Sequence, residues 1–337
     1  MRTPGMPTKP PSIVIGGDGG ISVAGSVVID GHSNVSQRVR VVTHIHSDHT
    51  VNLQESISSS YRLVATQLTL SWLQVFGYSA TNYLSLEAGD SIRLGDLRLR
   101  FLRSLHIPGT VQVFVETDDG TRVLYSSDFK KPGEGTPVEE ADVLVIDAVY
   151  GRPSYVREFD DYIEYLLVDL VKQLLTEGGV RIYGYYGKVN EVMSILRQGG
   201  VDAPFVLPPK VYMMTKKAES LGIRVGDYVL AGSRESQEVI RDGWYVYLDH
   251  SSRFTPGSRD ASTLVLSGWE FRNPIRKISS RTWHVAFSDH SDFRGLVKYV
   301  SSVRPRKLYV VKARSSGAEE FAAYVAKNLG IREVYVV

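Results

Sequence analysis

His44, His46, Asp48 and His49 fall within six positions of one another in the run Val-Val-Thr-His-Ile-His-Ser-Asp-His-Thr. Imidazole with carboxylate is a borderline-soft ligand set suited to zinc. Arg38 to Thr43 reads as a strand leading into this run, so the period of two sends His44 and His46 to one face, where a single ion takes both. Asp48 and His49 lie in the turn that follows and face a second position. The motif therefore reads as two adjoining metal sites.

Two later residues fit the same chemistry. His106, in Ser-Leu-His-Ile-Pro-Gly-Thr, follows a strand candidate and is expected as a third imidazole for the first ion. Asp128, in Leu-Tyr-Ser-Ser-Asp-Phe-Lys, ends another strand and is placed to bridge two ions. Asp30, in Val-Val-Ile-Asp-Gly, reads either as support for a ligand histidine or as a turn former. His32, His250 and His284 have no matching role, although His250 or His284 is left as a source of one more ligand.

The 337 residues suffice for a large core and about two domains. Hydrophobic content of 43% with 23% charged residues is that of a soluble globular protein. Cysteine is absent, which excludes disulfides, Cys-type zinc fingers and a thiol nucleophile, and leaves His and carboxylates as the metal ligands. Only the Pro-rich start, Met1 to Ser12, reads as disordered. Neither a signal-like apolar core nor a run of 18 apolar residues occurs, so a cytoplasmic protein with no membrane partner is expected. The net charge of +2 does not by itself argue for nucleic acid.

The elements that must position these residues come in two grammars. Short β-rich runs dominate at first: Ile21 to Ile29, Val39 to Thr43, Leu97 to Leu102, Val111 to Glu116, Val123 to Ser126 and Val143 to Ile146, with one helix pattern at Thr66 to Phe76. From Phe159 to Thr176 apolar residues recur at helical spacing, ending at Glu177-Gly178-Gly179. Strand and helix then alternate: Val180 to Tyr185, Lys188 to Arg197, Phe205 to Leu207 and Tyr212 to Ser220, with strands at Trp244 to Leu248 and Thr263 to Ser267. This alternation predicts an α/β unit inserted into a β-rich host. The host is expected to resume with a strand at Trp283 to Phe287, then a helix at Phe293 to Val300, a strand at Lys307 to Val311, a helix at Ala318 to Asn328 and a strand at Glu333 to Val337.

The ordered set His44-x-His46-x-Asp48-His49, His106, Asp128 resembles the metallo-β-lactamase fold family. Asp147-Ala-Val-Tyr150-Gly151 and Phe287-Ser-Asp-His290-Ser-Asp292 resemble the first and second signatures of its β-CASP nucleases. Gly184-Tyr-Tyr-Gly187-Lys188 is similar to the helix start of their inserted domain, and Leu266-Ser-Gly-Trp269 to its last strand. The resemblance implies an α/β fold, a four-layer αβ/βα sandwich in two parts, 1–152 and 284–337, with a β-CASP domain inserted at 153–283. It also implies a zinc-dependent nuclease. Gly187-Lys188 is not a P-loop, because the G-x-x-x-x-G-K-[ST] spacing is unmet and Val189 replaces the hydroxyl.

One departure stands out. Ribonucleases of this family carry a further His about two dozen residues beyond the second signature, where this chain has Lys312, and no His follows His290. A protonated lysine cannot ligate a metal. One firm zinc site and a weak or empty second one, open to manganese or magnesium, are therefore expected. Crosslink-repair DNA nucleases share this lack, and the Ser-Gly-Trp and Ser-Asp-His segments resemble those of ligase-associated DNA exonucleases, which tilts the expected substrate toward DNA.

In this reading His44, His46 and His106 hold the first zinc and Asp48, His49 and Asp128 the second, with a bound water acidified toward pKa ~7. Asp48, Asp147 and His290 are the expected catalytic residues, His290 donating a proton and Asp147 orienting it. Lys130, Lys188, Ser267, Arg272 and Lys312 are the expected contacts to a single strand of DNA or RNA, with basic clusters on phosphates and Trp269, Phe271 and Trp283 available for stacking. An RNA-processing nuclease, a lactonase or thioesterase of the same host fold, and a silent nucleic-acid-binding subunit are the alternatives. No protein partner is named by the sequence.

Overall fold

A computed structural model describes residues 12–256 and 260–337, so the Pro-rich start, apart from Ser12, lies outside the described residues. Two units emerge. One comprises the described residues up to Tyr155 with His290–Val337, the other Val156–Asp289.

The first unit opens with β1 (Ile13–Ile15), β2 (Ile21–Val23), β3 (Val27–Ile29), β4 (Val39–Val41), α1 (Leu53–Ser58), β5 (Arg62–Ala65), α2 (Gln67–Val75) and β6 (Tyr83–Ser85). These six strands form one sheet in chain order, antiparallel from β1 to β3 and parallel from β3 to β6. The run expected at Ile21 to Ile29 is two strands, because Ala24 and Gly25 both take positive φ (51° and 62°) and turn the chain back. The next strands are β7 (Ser91–Leu94), β8 (Leu97–Arg103), β9 (Val111–Thr117), β10 (Arg122–Tyr125) and β11 (Val143–Ile146).

The second unit begins with α3 (Ile163–Leu175), whose Ile163, Leu167, Val171 and Leu174 are buried at helical spacing. Then follow β12 (Gly179–Gly184), α4 (Lys188–Gln198), β13 (Phe205–Leu207), α5 (Pro209–Glu219), β14 (Tyr228–Leu230), α6 (Arg234–Asp242), β15 (Val246–His250), β16 (Ala261–Leu266), β17 (Ile275–Ser279) and β18 (Thr282–Val285). The sheet order is β14-β13-β15-β12-β16-β18-β17, parallel except for β17. Its core joins Val180 and Ile182 to Val189, Val192, Met193 and Leu196 of α4. The strand expected to reopen the host at Trp283 is β18, and it pairs with β16 and β17. The unit therefore runs to Asp289 rather than 283 and starts at Val156 rather than 153.

Back in the first unit come α7 (Phe293–Val303), β19 (Lys307–Val310), α8 (Ala318–Leu329) and β20 (Glu333–Val336). They complete a second sheet ordered β20-β19-β11-β10-β9-β8-β7. The two sheets share one core: Ile21, Val27, Ile29, Val39 and Val41 from the first meet Leu99, Phe101, Val111, Val113, Val115 and Val123 from the second. Strand alternation sets the other faces. Val28 packs outward with Val35 and Tyr61, and Gln112 turns outward to accept a hydrogen bond from Tyr299 of α7. With α2 beside Leu63 on one side and α7 and α8 on the other, the unit is a four-layer αβ/βα sandwich. The insertion leaves and returns at neighbouring points, since Phe293 N donates to Tyr155 O at 2.9 Å. Among the described residues no helix is long and apolar enough to cross a membrane.

Candidate metal centre

Parallel β3 and β4 end side by side, and Asp30 and Thr43 follow them. Asp30, at φ 49°, accepts hydrogen bonds from Thr43 N (2.8 Å) and Thr43 Oγ1 (2.6 Å). Its Oδ2 also lies 2.7 Å from His49 Nδ1, which leaves His49 Nε2 directed to the opposite side. This carboxylate fixes the ring's tautomer and orientation, the support role rather than the turn-forming one. Thr43 Oγ1 likewise stands 3.1 Å from His44 Nδ1, so His44 presents Nε2.

The second sheet supplies the facing half. β8, β10 and β11 run in one direction, and their ends carry His106, Asp128 and Asp147. The loops are stitched together: Ser104 Oγ donates to Asp128 O at 2.6 Å, and Lys130 N to Leu105 O at 2.7 Å. Ser127, at φ 51°, donates from Oγ to Thr43 Oγ1 at 2.8 Å and so ties this loop to the histidine run.

His46 Nδ1 is 3.2 Å from His44 Nε2 and 3.1 Å from His106 Nε2. Asp128 Oδ2 lies 3.4 Å from His44 Nε2, 3.5 Å from His106 Nε2 and 3.4 Å from His49 Nε2. Donors at 2.0–2.1 Å from a tetrahedral zinc stand about 3.3 Å apart, so the four donors of His44, His46, His106 and Asp128 fit such an ion. A second group, His49, Asp128 and Asp147, also brings its donor atoms within 4.8 Å of one another. His49 Nε2, Asp128 Oδ1 and Asp147 Oδ1 are buried and make no hydrogen bond, which is costly unless a cation satisfies them. Asp48 borders this group, with Oδ2 3.6 Å from His49 Nε2.

Electrostatics points the same way. Burial, reinforced by the charge of His49, pushes His44 down to about 3 and keeps it neutral, the ligand form. Burial and Arg314 act to lower His49, yet Asp48, Asp128 and Asp30 outweigh them and hold it up at about 10. Burial, with Asp128 adding to it, raises Asp147 to about 6 despite Arg314 and His49. Asp30, Asp128 and Asp147 are thus buried together, with Asp48 more open at their edge, and Arg314 lies among them.

Arg314 belongs to none of the motifs above. Its guanidinium donates to Asp48 O (3.1 and 3.0 Å), to Asp30 O (2.8 Å) and to Tyr125 OH (3.0 Å), and lies 3.8 Å from Asp147 Oδ2. Lys312, the expected cation, instead pairs on the exposed surface with Glu319 at 2.6 Å. The turn Lys312–Arg314 after β19 explains the difference, because it carries residue 314 rather than 312 back to the centre.

Asp147 Oδ2 accepts from Tyr125 OH at 2.5 Å, and the carboxylate against His290 is Asp128, with Oδ1 3.6 Å from Nδ1. The expected Asp147–His290 orientation is thus corrected to Asp128–His290. His290 also lies against His106, ring centroids 4.7 Å apart. Lys130 is buried. Lys188 is buried as well, its Nζ 2.6 Å from Asp289 Oδ1, so it anchors the residue before His290 rather than lying open to a phosphate. Ser267 Oγ accepts from Trp269 N within a turn, and Arg272 is exposed with its N–H on Glu270. His32 contacts Ser56 and Glu55, and His250 contacts Ser252; among the described residues none of His32, His250 and His284 joins a metal-capable group.

A two-sheet αβ/βα sandwich with this histidine and aspartate centre at its strand ends is the arrangement of the metallo-β-lactamase fold. Residues 277–337 match a family model described as a Zn-dependent metallo-hydrolase RNA specificity domain. An uncharacterised protein from the lig 3' region of Acidianus ambivalens is 39% identical over 140 residues, 42% of this chain and 100% of that protein. A probable DNA ligase of Opitutus terrae is 25% identical over 289 residues, covering 81% of this chain but only 26% of the ligase. An RNase J-like protein of Methanocaldococcus jannaschii is 22% identical over 290 residues, 70% of this chain and 68% of that protein. A crystal structure of an Enterococcus faecalis protein of unknown function superposes with a TM-score of 0.63 at 12% identity, over 89% of this chain and 78% of that one, a likeness of fold. The chain belongs to the metallo-β-lactamase β-CASP nuclease family.

Proposed function

We propose that this chain hydrolyses phosphodiester bonds of single-stranded nucleic acid with divalent metal, zinc in the first site. The observation that carries the reading is the convergence of the His44, His46, His106 and Asp128 donors, whose neighbouring atoms lie 3.1–3.5 Å from one another. These four would hold the first ion; His49, Asp128 and Asp147, with Asp48 beside them, would hold a second. Bound there, a divalent ion supplies Lewis acidity and an acidified water. Asp30 keeps His49 oriented, and Arg314 holds the Asp48 loop and offsets the charge of Asp147. His290, whose Nδ1 faces Asp128, is assigned to protonate the leaving oxygen from Nε2 as the P–O bond breaks.

The relatives' descriptions point to both polymers. The ligase relative supports DNA, whereas the RNA-specificity description and the RNase J-like relative support RNA. The preference for DNA expected from sequence therefore gives way to a reading in which both are substrates to be tested.

Labelled single-stranded DNA and RNA should be incubated with wild type, His290→Ala and Asp128→Asn, alongside elemental analysis of bound metal. Cleavage by wild type is expected, with a loss of about 10²-fold or more in His290→Ala and reduced metal in Asp128→Asn. Failure to cleave either polymer, with equal metal in wild type and Asp128→Asn, overturns the reading.

A further inference from the structure

The parallel sheet of the second unit changes winding direction between β12 and β15. From β12 the chain crosses over β15 to β13, whereas from β15 it crosses the other way to β16. Ligands of open α/β sheets sit outside the carboxyl ends of the strands at such a point. Here the two strand ends carry aromatic rings: Tyr185 and Tyr186 follow β12, and His250 ends β15.

The rings are held in place. Tyr186 stacks on His250 with centroids 4.3 Å apart and planes 23° from parallel, and Tyr185 meets His250 edge-on at 5.4 Å. Gly187, at φ 83°, turns the chain straight into α4 and leaves both tyrosines at the edge. Asp249 accepts from His250 N at 2.6 Å and from Tyr247 OH at 3.2 Å, and Ser252 N donates to His250 Nδ1 at 3.2 Å. Tyr185 is nevertheless 57% exposed. Cations stand beside the rings: exposed Lys210 places Nζ 5.5 Å from the Tyr186 centroid, and Arg253 is near enough to act on the Tyr186 hydroxyl.

A preorganised, partly exposed π surface flanked by cations fits an unstacked base and its phosphate. A duplex offers no such base face. We propose that Tyr185, Tyr186 and His250, with Lys210 beside them, form a stacking platform for a base of single-stranded nucleic acid. The inference rests on the nuclease reading and adds a binding site apart from the metal ligands.

The test is fluorescence polarisation with labelled single-stranded and duplex oligonucleotides, in a His290→Ala background to prevent cleavage. Tyr185→Ala, at an exposed position, should weaken single-strand binding about 5- to 100-fold, while Tyr185→Phe retains it. Its salt dependence should stay that of the parent, whereas Lys210→Ala should lower the slope by about one. Single-strand binding by Tyr185→Ala within twofold of the parent, or an equal loss for duplex, overturns the platform. If wild type binds single strands through Tyr185 but never cleaves them, the nuclease reading falls and the platform stands. Cleavage by wild type with normal binding by Tyr185→Ala does the reverse.

Discussion

Replacing Arg314 with methionine removes a buried guanidinium that ties together three segments far apart in sequence. The side chain is 1% exposed and donates to Asp30 O, Asp48 O and Tyr125 OH while facing Asp147. Methionine fills much of the volume but satisfies none of these acceptors. Asp147 would lose its nearest cation in a site where burial already raises its pKa to about 6. Breaking a buried charge pair by removing one partner costs about 3–5 kcal/mol, equivalent to roughly 10²–10⁴-fold in local opening. The change is best read locally, since a chain of two units has no single unfolding free energy. Amide exchange after chelator treatment should therefore quicken by about that factor in β10 and residues 42–50, with little change in the second unit. Arg314→Lys keeps the charge but not the fork and should recover less than half of the loss. Lys312→Met is the surface control and should change little. An acceleration below about fivefold in Arg314→Met, under roughly 1 kcal/mol, would refute the argument that this residue locks the centre.

Two further outcomes follow from the charges. His49 stands above its ordinary value, at about 10, so the folded protein favours its protonated form through neutral pH and an entering ion must displace that proton; His44, at about 3, is already neutral. Affinity at the His49 group should rise with pH, and calorimetry at pH ~7.5 in buffers of different ionisation heat should show about one proton released per ion entering it, a result that zero release would contradict. In the second unit, Lys188→Met leaves Asp289 buried without its cation and should cost about 3–5 kcal/mol, most of it regained with Asp289→Leu; a urea titration followed by tryptophan fluorescence, three of whose four reporters lie in that unit, would exclude this if the single variant unfolds like wild type.

The histidine run was legible because a strong strand leads into it and the ligand types have few other uses at that spacing. Buried runs such as Val143–Ile146 and Phe205–Leu207 appear with the bounds their composition implies. Several elements missed in sequence are ones whose burial is tertiary. α6, Arg234–Asp242, buries only Ser236 and reads as a polar loop, and β1, β6 and β7 are short, partly exposed strands. β18 was visible as a strand, but its own residues do not say which sheet will accept it. Arg314 is hidden in the sequence for a related reason: distance along the chain points to Lys312, and the intervening turn decides which cation arrives.

The hydrogen bond from Phe293 N to Tyr155 O has an evolutionary meaning. It holds the exit and return of the insertion together within the host, so the length inserted between them enters stability only through a slowly growing loop-closure term. A unit that folds on itself with its own ends near each other removes even that term. The host can thus take inserts of different length between these two points without redrawing its own sheets.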